Sequence, residues 1–556
     1  MADISLVESA GSRIRWNIGL AIASGLLLGL AFPPSPLYTL AYVGFIPLFL
    51  LFDRVESFSG LFRYSYLSMF VFNAVTLYWV GGFTHGRDPW LMISGAALLL
   101  FHPILSSIPI ILYGLVRRWM NRWLRLLAFI FFWVGWEYVH AFGEVSFPWI
   151  TLGSSQAYDL ARSQIAEYTS VYGISFLLLS FNLIAYYLLV QAALREWRMW
   201  NVRAVVLILL LLTVYLLPWW YGIRVMDRVD TEEGRPLQVG VIQPNVDPWE
   251  KWGEGFASRQ EAYRQQLDIL LASTAPLAAD SVDLIIWPET ALPFWALLPQ
   301  YEEYRDRIQR FVDSVKTPLF TGLPHAEYFD EQSAPVTARP VRSTGLFVES
   351  YNSAVLFSPG KPASDVYRKI VLVPFAERIP YAESVPFLIE PLKWGVGISG
   401  WGKGQDTIVY ELETRSSSQA KFSGMICYES VFPQFVREFA VRGAEFLVVI
   451  TNDSWWGNTS GAYQHIAMAS LRAIENRRWV VQAANGGISA FVDPVGRIRQ
   501  ATELYTQDAR RAEIEARQGE TFYVQHGDIF ARICLYCSAL FVILAFINRY
   551  RHKSHQ

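Results

Sequence analysis

The chain has 556 residues, of which 53% are apolar and only 17% charged, with 47 Lys and Arg against 49 Asp and Glu. That length exceeds one hydrophobic core and predicts two units, and the apolar excess points to a membrane protein rather than a soluble enzyme. A net charge of −2 gives nothing to draw the chain to nucleic acid.

Runs of about 18 apolar residues predict membrane-spanning helices. They fall near 16–32, 37–52, 62–80, 90–116, 124–140, 170–194, 204–220 and 529–547. The first is not read as a cleavable leader, because it is long and ends in Phe32-Pro33-Pro34-Ser35-Pro36 without a small-residue cleavage site. Basic residues cluster at Arg13/Arg15, Arg54/Arg63, Arg117/Arg118/Arg122/Arg125, Arg195/Arg198/Arg203 and Arg549/Arg551/Lys553. With seven spans before the large polar region and one after it, every cluster falls on one side, which the positive-inside rule makes the cytoplasm. The expected organisation is therefore a membrane domain over 1–227, an extracytoplasmic domain over 228–527, and a last span with a cytoplasmic tail over 528–556. Both termini are expected in the cytoplasm of a multi-pass membrane protein.

Within the membrane unit, Glu137 sits in a predicted span, where a carboxylate is expensive unless paired or at the water interface. Phe147-Pro148-Trp149 is read as an interfacial aromatic belt, with a lipid entry site as the other possibility. Cys534 and Cys537 lie inside the last span, and their redox-like spacing is read as incidental.

From about Pro236 the texture changes to short β-branched runs alternating with amphipathic stretches, which predicts an α/β core with buried strands. Strands are expected at 237–242, 283–287, 318–321, 353–357, 421–427, 445–451, 479–483 and 488–493, and helices at 256–275, 299–315 and 463–477. The stretch 376–403 is rich in Pro, Gly, Phe and Trp without periodicity and reads as a long lid-like loop.

Three short stretches carry the candidate chemistry. Ser423-Gly424-Met425-Ile426-Cys427-Tyr428-Glu429-Ser430 ends an apolar run in a cysteine with no partner in its own region. Such a cysteine is more often a small buried hydrophobe than a nucleophile. Glu289, in Ile286-Trp287-Pro288-Glu289-Thr290, follows a strand whose exit a proline stiffens, and a partly dehydrated carboxylate there can take a thiol proton. Lys369, in Tyr367-Arg368-Lys369-Ile370-Val371-Leu372-Val373-Pro374-Phe375, supplies a fixed cation for an oxyanion. Taken singly, the glutamate could equally be a solvated turn residue and the lysine a surface residue beside a strand.

Trp-Pro-Glu, Tyr-x-Lys before Leu-Val-Pro-Phe, and Cys-Tyr-Glu, in this order across one α/β region, resemble the carbon–nitrogen hydrolase (nitrilase) superfamily and its Glu-Lys-Cys triad. With the membrane unit around it, the whole chain resembles that superfamily's membrane-bound family, the apolipoprotein N-acyltransferases. Gln243-Pro244-Asn245, Tyr351-Asn352-Ser353, Thr451-Asn452-Asp453-Ser454-Trp455-Trp456-Gly457, Gln464-His465 and Arg472-Ala473-Ile474-Glu475 agree with it. The sequence departs from it where the family usually has an arginine and then Asn-Thr-Gly, having Gln482 and Asn485-Gly486-Gly487 instead.

The resemblance implies an α-β-β-α sandwich inserted before the last span, with no metal and no cofactor. It implies a ping-pong reaction in a monomer. Cys427 takes the sn-1 acyl chain of a phospholipid as a thioester, with Glu289 as proton acceptor and Lys369 supporting the oxyanion. The α-amino group of an apolipoprotein's diacylglyceryl-cysteine then takes the acyl chain. Glu377 would orient Lys369 or the incoming amine, Tyr428 and Glu429 would shape the pocket, and Trp252 would contact lipid from a mobile loop. His465 is read as structural, since a carboxylate base makes it unnecessary. A membrane-tethered amidase acting with water shares the triad and stands as the alternative, and a non-catalytic scaffold is disfavoured by the intact triad.

Overall fold

The computed structural model describes residues 10–83, 89–193, 202–252, 258–279, 282–384, 387, 400–415 and 417–554. The apolar runs become helices at Ala10–Gly29, Ile46–Arg54, Phe58–Leu77, Pro89–Ser106, Ile108–Val116, Arg122–His140, Ala166–Ala193, Val202–Thr231 and Ile529–Ser554. Among the described residues, four stretches are long and apolar enough to cross a membrane: Pro89–Val116, Ala166–Val190, Val202–Thr231 and Ile529–Arg551.

The single helix expected over 37–52 is corrected. A 3-10 turn at Tyr38–Tyr42 is followed by an α-helix at Ile46–Arg54, whose nine residues rise only about 14 Å against a hydrocarbon core of about 30 Å. Gly44 and Pro47 mark the break. A Cβ on Gly44 would lie 2.6 Å from Leu28 Cδ2, so glycine lets this stretch approach the first helix. Backbone groups released inside an apolar bundle need other partners. Ser24 Oγ donates to Gly44 O at 2.7 Å, Asn182 Oδ1 accepts from Phe45 N at 2.9 Å, and Asn182 Nδ2 donates to Ala41 O at 2.8 Å.

Two sets of polar contacts tie these segments together, one near the arginine clusters and one against the α/β unit. At the basic end, Arg54 Nε donates to Asn17, Arg117 Nη1 to Val55 O, and Arg122 bonds Asp53 and Tyr186, while Asn548 Nδ2 donates to Trp119 O. At the other end the bundle meets the α/β unit. There Gln434 Nε2 donates to Ala141 O, and Arg497 forks onto Asp230 at 2.6 and 2.8 Å.

The α/β unit is built on two sheets. The first runs β13 (Asp508–Ala516), β1 (Arg235–Gln243), β2 (Leu284–Ile286), β3 (Leu319–Phe329), β5 (Phe347–Phe357) and β4 (Arg339–Pro340), with β6 (Tyr367–Arg368) paired to β5. The second runs β12 (Ile498–Arg499), β11 (Ala490–Val492), β10 (Val480–Ala484), β9 (Phe446–Thr451), β8 (Gln419–Ile426) and β7 (Tyr410–Glu413). Parallel triplets β1-β2-β3 and β8-β9-β10 form the two centres, and the flanking pairs are antiparallel. The sheets stack face to face, with Phe320 edge-on to both Tyr410 and Phe422 at 5.3 Å. Gly424 sits beneath that ring, where a Cβ would come within 2.1 Å of Phe320 Cζ.

Helices Arg259–Ala279 and Glu302–Val315 cover the outer face of the first sheet, through Leu267, Leu270, Ile308 and Val312 against Ile285, Trp287 and Val355. Helices Pro433–Val441 and Ser460–Asn476 cover the second, completing an α-β-β-α sandwich. Ser460–Asn476 is buried on nearly every side, as expected for a helix held between a sheet and the membrane bundle.

Polar side chains from this helix plug into the bundle. Gln464 Oε1 accepts from the indoles of Trp79 (3.0 Å) and Trp149 (2.8 Å), and its Nε2 donates to Pro33 O and Thr76 O. Glu475 Oε1 accepts from Ser170 Oγ and Val171 N, where Ser170 (φ 56°) breaks the helix and leaves a fresh N-terminus to be capped. The belt expected at Phe147-Pro148-Trp149 is corrected by these contacts, because Trp149 is buried against the catalytic unit rather than set at an interface. Glu137 is buried and internal, its Oε1 accepting from Trp133 Nε1 and Leu152 N. Of the lid-like stretch 376–403, residues 385–386 and 388–399 lie outside the described residues.

Candidate active site

Cys427 directly follows β8 and opens the turn Cys427–Val431 with φ 52°. The left-handed region is costly for a residue with a Cβ, of order 1–3 kcal/mol, and is held only where surrounding contacts enforce it. The enforcing group is Glu429. Its Oε2 accepts from Ile426 N (2.7 Å) and Tyr367 Oη (2.8 Å), and its Oε1 from Ile370 N (2.7 Å) and Val371 N (3.1 Å). One buried carboxylate thus ties the residue before the cysteine to the residue after Lys369. Burial pushes Glu429 up to about 7, against those hydrogen bonds and the charge of Lys369.

Glu289 stands three residues past β2. Trp287 anchors that exit, fully buried with its indole donating to Thr274 Oγ1 at 2.9 Å. Gly322 of β3 makes room for the turn, since a Cβ there would meet Thr290 N at 2.5 Å and Glu289 Cα at 2.8 Å. Lys369 follows β6, with its backbone N donating to Asn352 O and its side chain wholly buried. Its Nζ lies 2.8 Å from Glu377 Oε1 and 3.6 Å from Glu289 Oε1. Asn352 Nδ2 donates to Glu289 Oε1 at 2.6 Å and reaches Glu377 Oε1 at 3.4 Å, while Val373 N donates to Glu377 Oε2. Glu289, Lys369, Glu377 and Asn352 therefore form one hydrogen-bonded cluster.

The electrostatics follow from burial and charge. Burial alone would lower the Lys369 ammonium, but Glu377 and Glu289 overcome it and hold the group well above the usual lysine range. Burial pushes the Cys427 thiol well above its ordinary value, the Glu289 carboxylate adds to this, and Lys369 opposes it. A resting thiol beside a carboxylate, with a fixed cation in the same cluster, is an arrangement suited to nucleophilic acyl transfer: the base removes the proton only as the sulfur attacks.

A cavity of about 170 Å³ is lined by Cys427, Glu289, Glu377, Asn352, Lys251 and Trp252, by Asn452, and by Trp401, Trp455 and Trp456. Leu91, from the membrane helix Pro89–Ser106, completes its wall. Trp252 is thus at the cavity, whereas Tyr428 and Glu429 are not among its lining residues. Tyr428 instead donates its hydroxyl to Ser146 O at 2.8 Å and stacks on Trp149. His465 is also set back, joining Asp453 Oδ1 to Ser430 Oγ, which in turn donates to Cys427 O. A larger cavity of about 640 Å³ lies elsewhere, behind Ile370–Leu372 and against Tyr138, Phe142 and Phe435, and none of the three triad residues lines it.

Sequence reasoning missed Asn352 and Lys251 as site residues. Asn352 stood within a motif quoted for its resemblance, but nothing in the sequence shows which carboxylate it bonds. Lys251 precedes Trp252 and carries no pattern signal of its own in the sequence. Its Nζ donates to Thr290 Oγ1 at 2.8 Å and to Glu289 O at 3.1 Å. The two departures lie beside the site rather than in it. Gln482 Nε2 donates to Ile488 O, and Gly486 (φ 67°) occupies a position where a Cβ would come within 2.5 Å of Ser454 Oγ.

Residues 24–184 match the family described as apolipoprotein N-acyltransferase N-terminal domain, and residues 238–519 match carbon-nitrogen hydrolase. Among relatives, an apolipoprotein N-acyltransferase of Chlorobaculum tepidum is 34% identical over 95% of this chain and 96% of its own length. Another from Geobacter metallireducens is 34% identical over 96% of both. Among solved structures, an amidase from Nesterenkonia sp. covers 54% of this chain and 97% of its own at 16% identity, with a TM-score of 0.37 that is too low to argue from. Two matched domains in the right order and full-length identity above 30% lead to one conclusion: the chain belongs to the apolipoprotein N-acyltransferase family.

Proposed function

We propose that the protein moves a fatty acyl chain from the sn-1 position of a phospholipid, through a thioester on Cys427, to the α-amino group of an apolipoprotein's diacylglyceryl-cysteine. The carrying observation is the cavity that joins Cys427 and Glu289 to a wall contributed by Leu91 of a membrane helix. A thiol placed there meets substrates that are held in the bilayer.

In the first step the Cys427 sulfur attacks the ester carbonyl while Glu289 takes the thiol proton. Lys369, kept charged by Glu377 and Glu289, faces the negative charge growing on the carbonyl oxygen. The C–O bond breaks, Glu289 returns the proton to the leaving alkoxide, and a lysophospholipid departs. In the second step the amine attacks the thioester, Glu289 takes a proton from nitrogen, the C–S bond breaks, and that proton passes to sulfur. Glu377 positions Lys369, and Glu429 positions the Cys427 turn. Tyr428 packs that turn against the membrane unit, and Trp252 covers the cavity as a lipid contact. The apolar, tryptophan-rich wall disfavours water, which would otherwise hydrolyse the thioester.

The topology reading has eight crossings, with the α/β domain extracytoplasmic and both termini in the cytoplasm of a bacterial inner membrane. Its support is the alternation of contacts: successive segments run between the arginine-rich end and the end that meets the α/β unit. The broken stretch 38–54 counts as one crossing because side chains satisfy its freed backbone groups. The domain limits of this reading are 1–227, 228–527 and 528–556; the last helix, which begins at Ile529, supports the third, while the helix before the α/β unit runs on to Thr231.

Incubation with phospholipid should give a hydroxylamine-sensitive acyl adduct on Cys427 that is lost in Cys427→Ala. Active protein that never carries an adduct would sink the thioester route. An adduct discharged to water but never to a lipopeptide amine would favour the amidase reading.

A further inference from the structure

The acceptor amine arrives with one proton too many. An α-amino group has an ordinary pKa near 8, so at pH 7 roughly nine in ten are ammonium and carry no lone pair. On the thioester reading above, Glu289 takes the proton lost as the N–C bond forms. The earlier proton, which must leave before nitrogen can attack, has no taker among the triad.

Lys251 lies where that proton must go. It is buried, and it lines the cavity that holds Cys427 and Glu289. Its backbone is fixed on both sides of Cα, with N donating to Asp247 O at 3.0 Å and O accepting from Gln266 Nε2 at 2.9 Å. Its Nζ donates to Thr290 Oγ1 and Glu289 O, and among the described residues no carboxylate is in ion-pair contact with it. A buried ammonium without a carboxylate partner is expensive. A neutral amine spends both N–H bonds on those two acceptors and keeps a lone pair for a third direction.

We propose that Lys251 is a neutral amine in the resting enzyme and accepts the surplus proton of the acceptor's ammonium group. The ammonium gives one proton to Lys251 Nζ and becomes a free amine. Its nitrogen then bonds the thioester carbon, Glu289 takes the second proton and hands it to the Cys427 sulfur as the C–S bond breaks, and Lys251 later loses its proton to water. The charged groups around Lys251 are Glu289, the neighbouring Glu377, Lys369 within the same cluster, and Cys427 across the cavity. The helix packed against it presents uncharged Gln266. Burial pushes Lys251 down to about 7, with the Glu289 carboxylate opposing, in keeping with this role.

The test separates the half-reactions in the full-length protein. Wild type, Lys251→Met and Lys251→Arg are first acylated from phospholipid and the adduct is weighed. Each is then mixed with a synthetic diacylglyceryl-cysteine peptide at pH 7 and pH 9. Both variants should form the adduct. At pH 7 their transfer should fall about five- to tenfold, the fraction of acceptor already neutral there, and at pH 9 it should recover. Unchanged transfer at pH 7, or a loss equally deep at pH 9, overturns the proposal. Failure of both variants to form the adduct also overturns it and makes Lys251 a strut for Glu289. A wild-type protein without adduct is a different result, which removes the thioester reading itself.

Discussion

Replacing Glu429 with glutamine changes one oxygen to an NH₂ group and little else in volume. All four groups bonded to this carboxylate are donors: Ile426 N, Ile370 N, Val371 N and Tyr367 Oη. If the NH₂ takes the Oε2 place, Tyr367 can rotate its hydroxyl to accept, but Ile426 N is orphaned. If it takes the Oε1 place, both Ile370 N and Val371 N are orphaned. The first arrangement is the cheaper. One buried unpaired N–H costs about 1–3 kcal/mol, and the surviving bonds fall from charge-assisted to neutral strength. A total near 3 kcal/mol is expected, partly offset because a buried charge has been removed. The orphan lies directly before Cys427, whose φ of 52° needs support, so the damage should appear in acylation as well as in stability. Thermal unfolding in detergent and the rate of adduct formation from phospholipid measure the two. Both should fall, with adduct formation slowed at least tenfold. A Glu429→Gln protein with unchanged melting temperature and unchanged adduct rate would refute the claim that this carboxylate holds the turn.

Asn352→Ala removes the donor shared by Glu289 and Glu377, so adduct formation should slow by roughly a hundredfold, as for loss of a charge-assisted bond of about 2–3 kcal/mol, while folding survives. Glu289→Gln should give no adduct at pH 7 and should not be rescued at pH 9, because burial keeps the Cys427 thiol protonated there; recovery at pH 9 would show an accessible thiolate instead. Gln464→Leu leaves the Trp149 indole without acceptor, while Trp79 keeps Thr76 O, for a loss of about 1–3 kcal/mol read as a lower melting temperature, and an unchanged value would mean water replaces the amide. Gly424→Ala drives a methyl into the Phe320 ring between the sheets, with an expected cost of about 1–3 kcal/mol seen in the same melt.

The strands that carry the site were readable because they are short, β-branched and punctuated. The expected runs at 283–287 and 421–427 coincide with β2 and β8, and Glu289 and Cys427 follow from where those runs stop. β13 escaped because Asp-Ala-Arg-Arg-Ala-Glu-Ile-Glu-Ala spreads its apolar face among charges, and the strand gains its identity only from pairing with β1 along its whole length. The helix Pro433–Val441 escaped because nine residues give too little periodicity to separate from a loop. Lys251, Asn352 and Gln464 were visible as letters but not as contacts. Their partners stand 39, 63 and 315 residues away, and pattern within one segment cannot report such distances. The stretch 37–52 was misread for the opposite reason: its composition is that of a span, while Gly44 and Pro47 interrupt the helix that composition favours.

That interruption bears on the order in which the protein assembles. The amide of Phe45 finds its acceptor on Asn182, a residue made 137 positions later. At about 5–20 residues per second, the nascent second segment waits on the order of 10 s before its partner leaves the ribosome. Until then its free carbonyl and amide groups do not belong in lipid, so the first two segments cannot settle as a finished hairpin. The bundle closes late, when the Asn182 helix threads in and completes a turn begun near the start of translation.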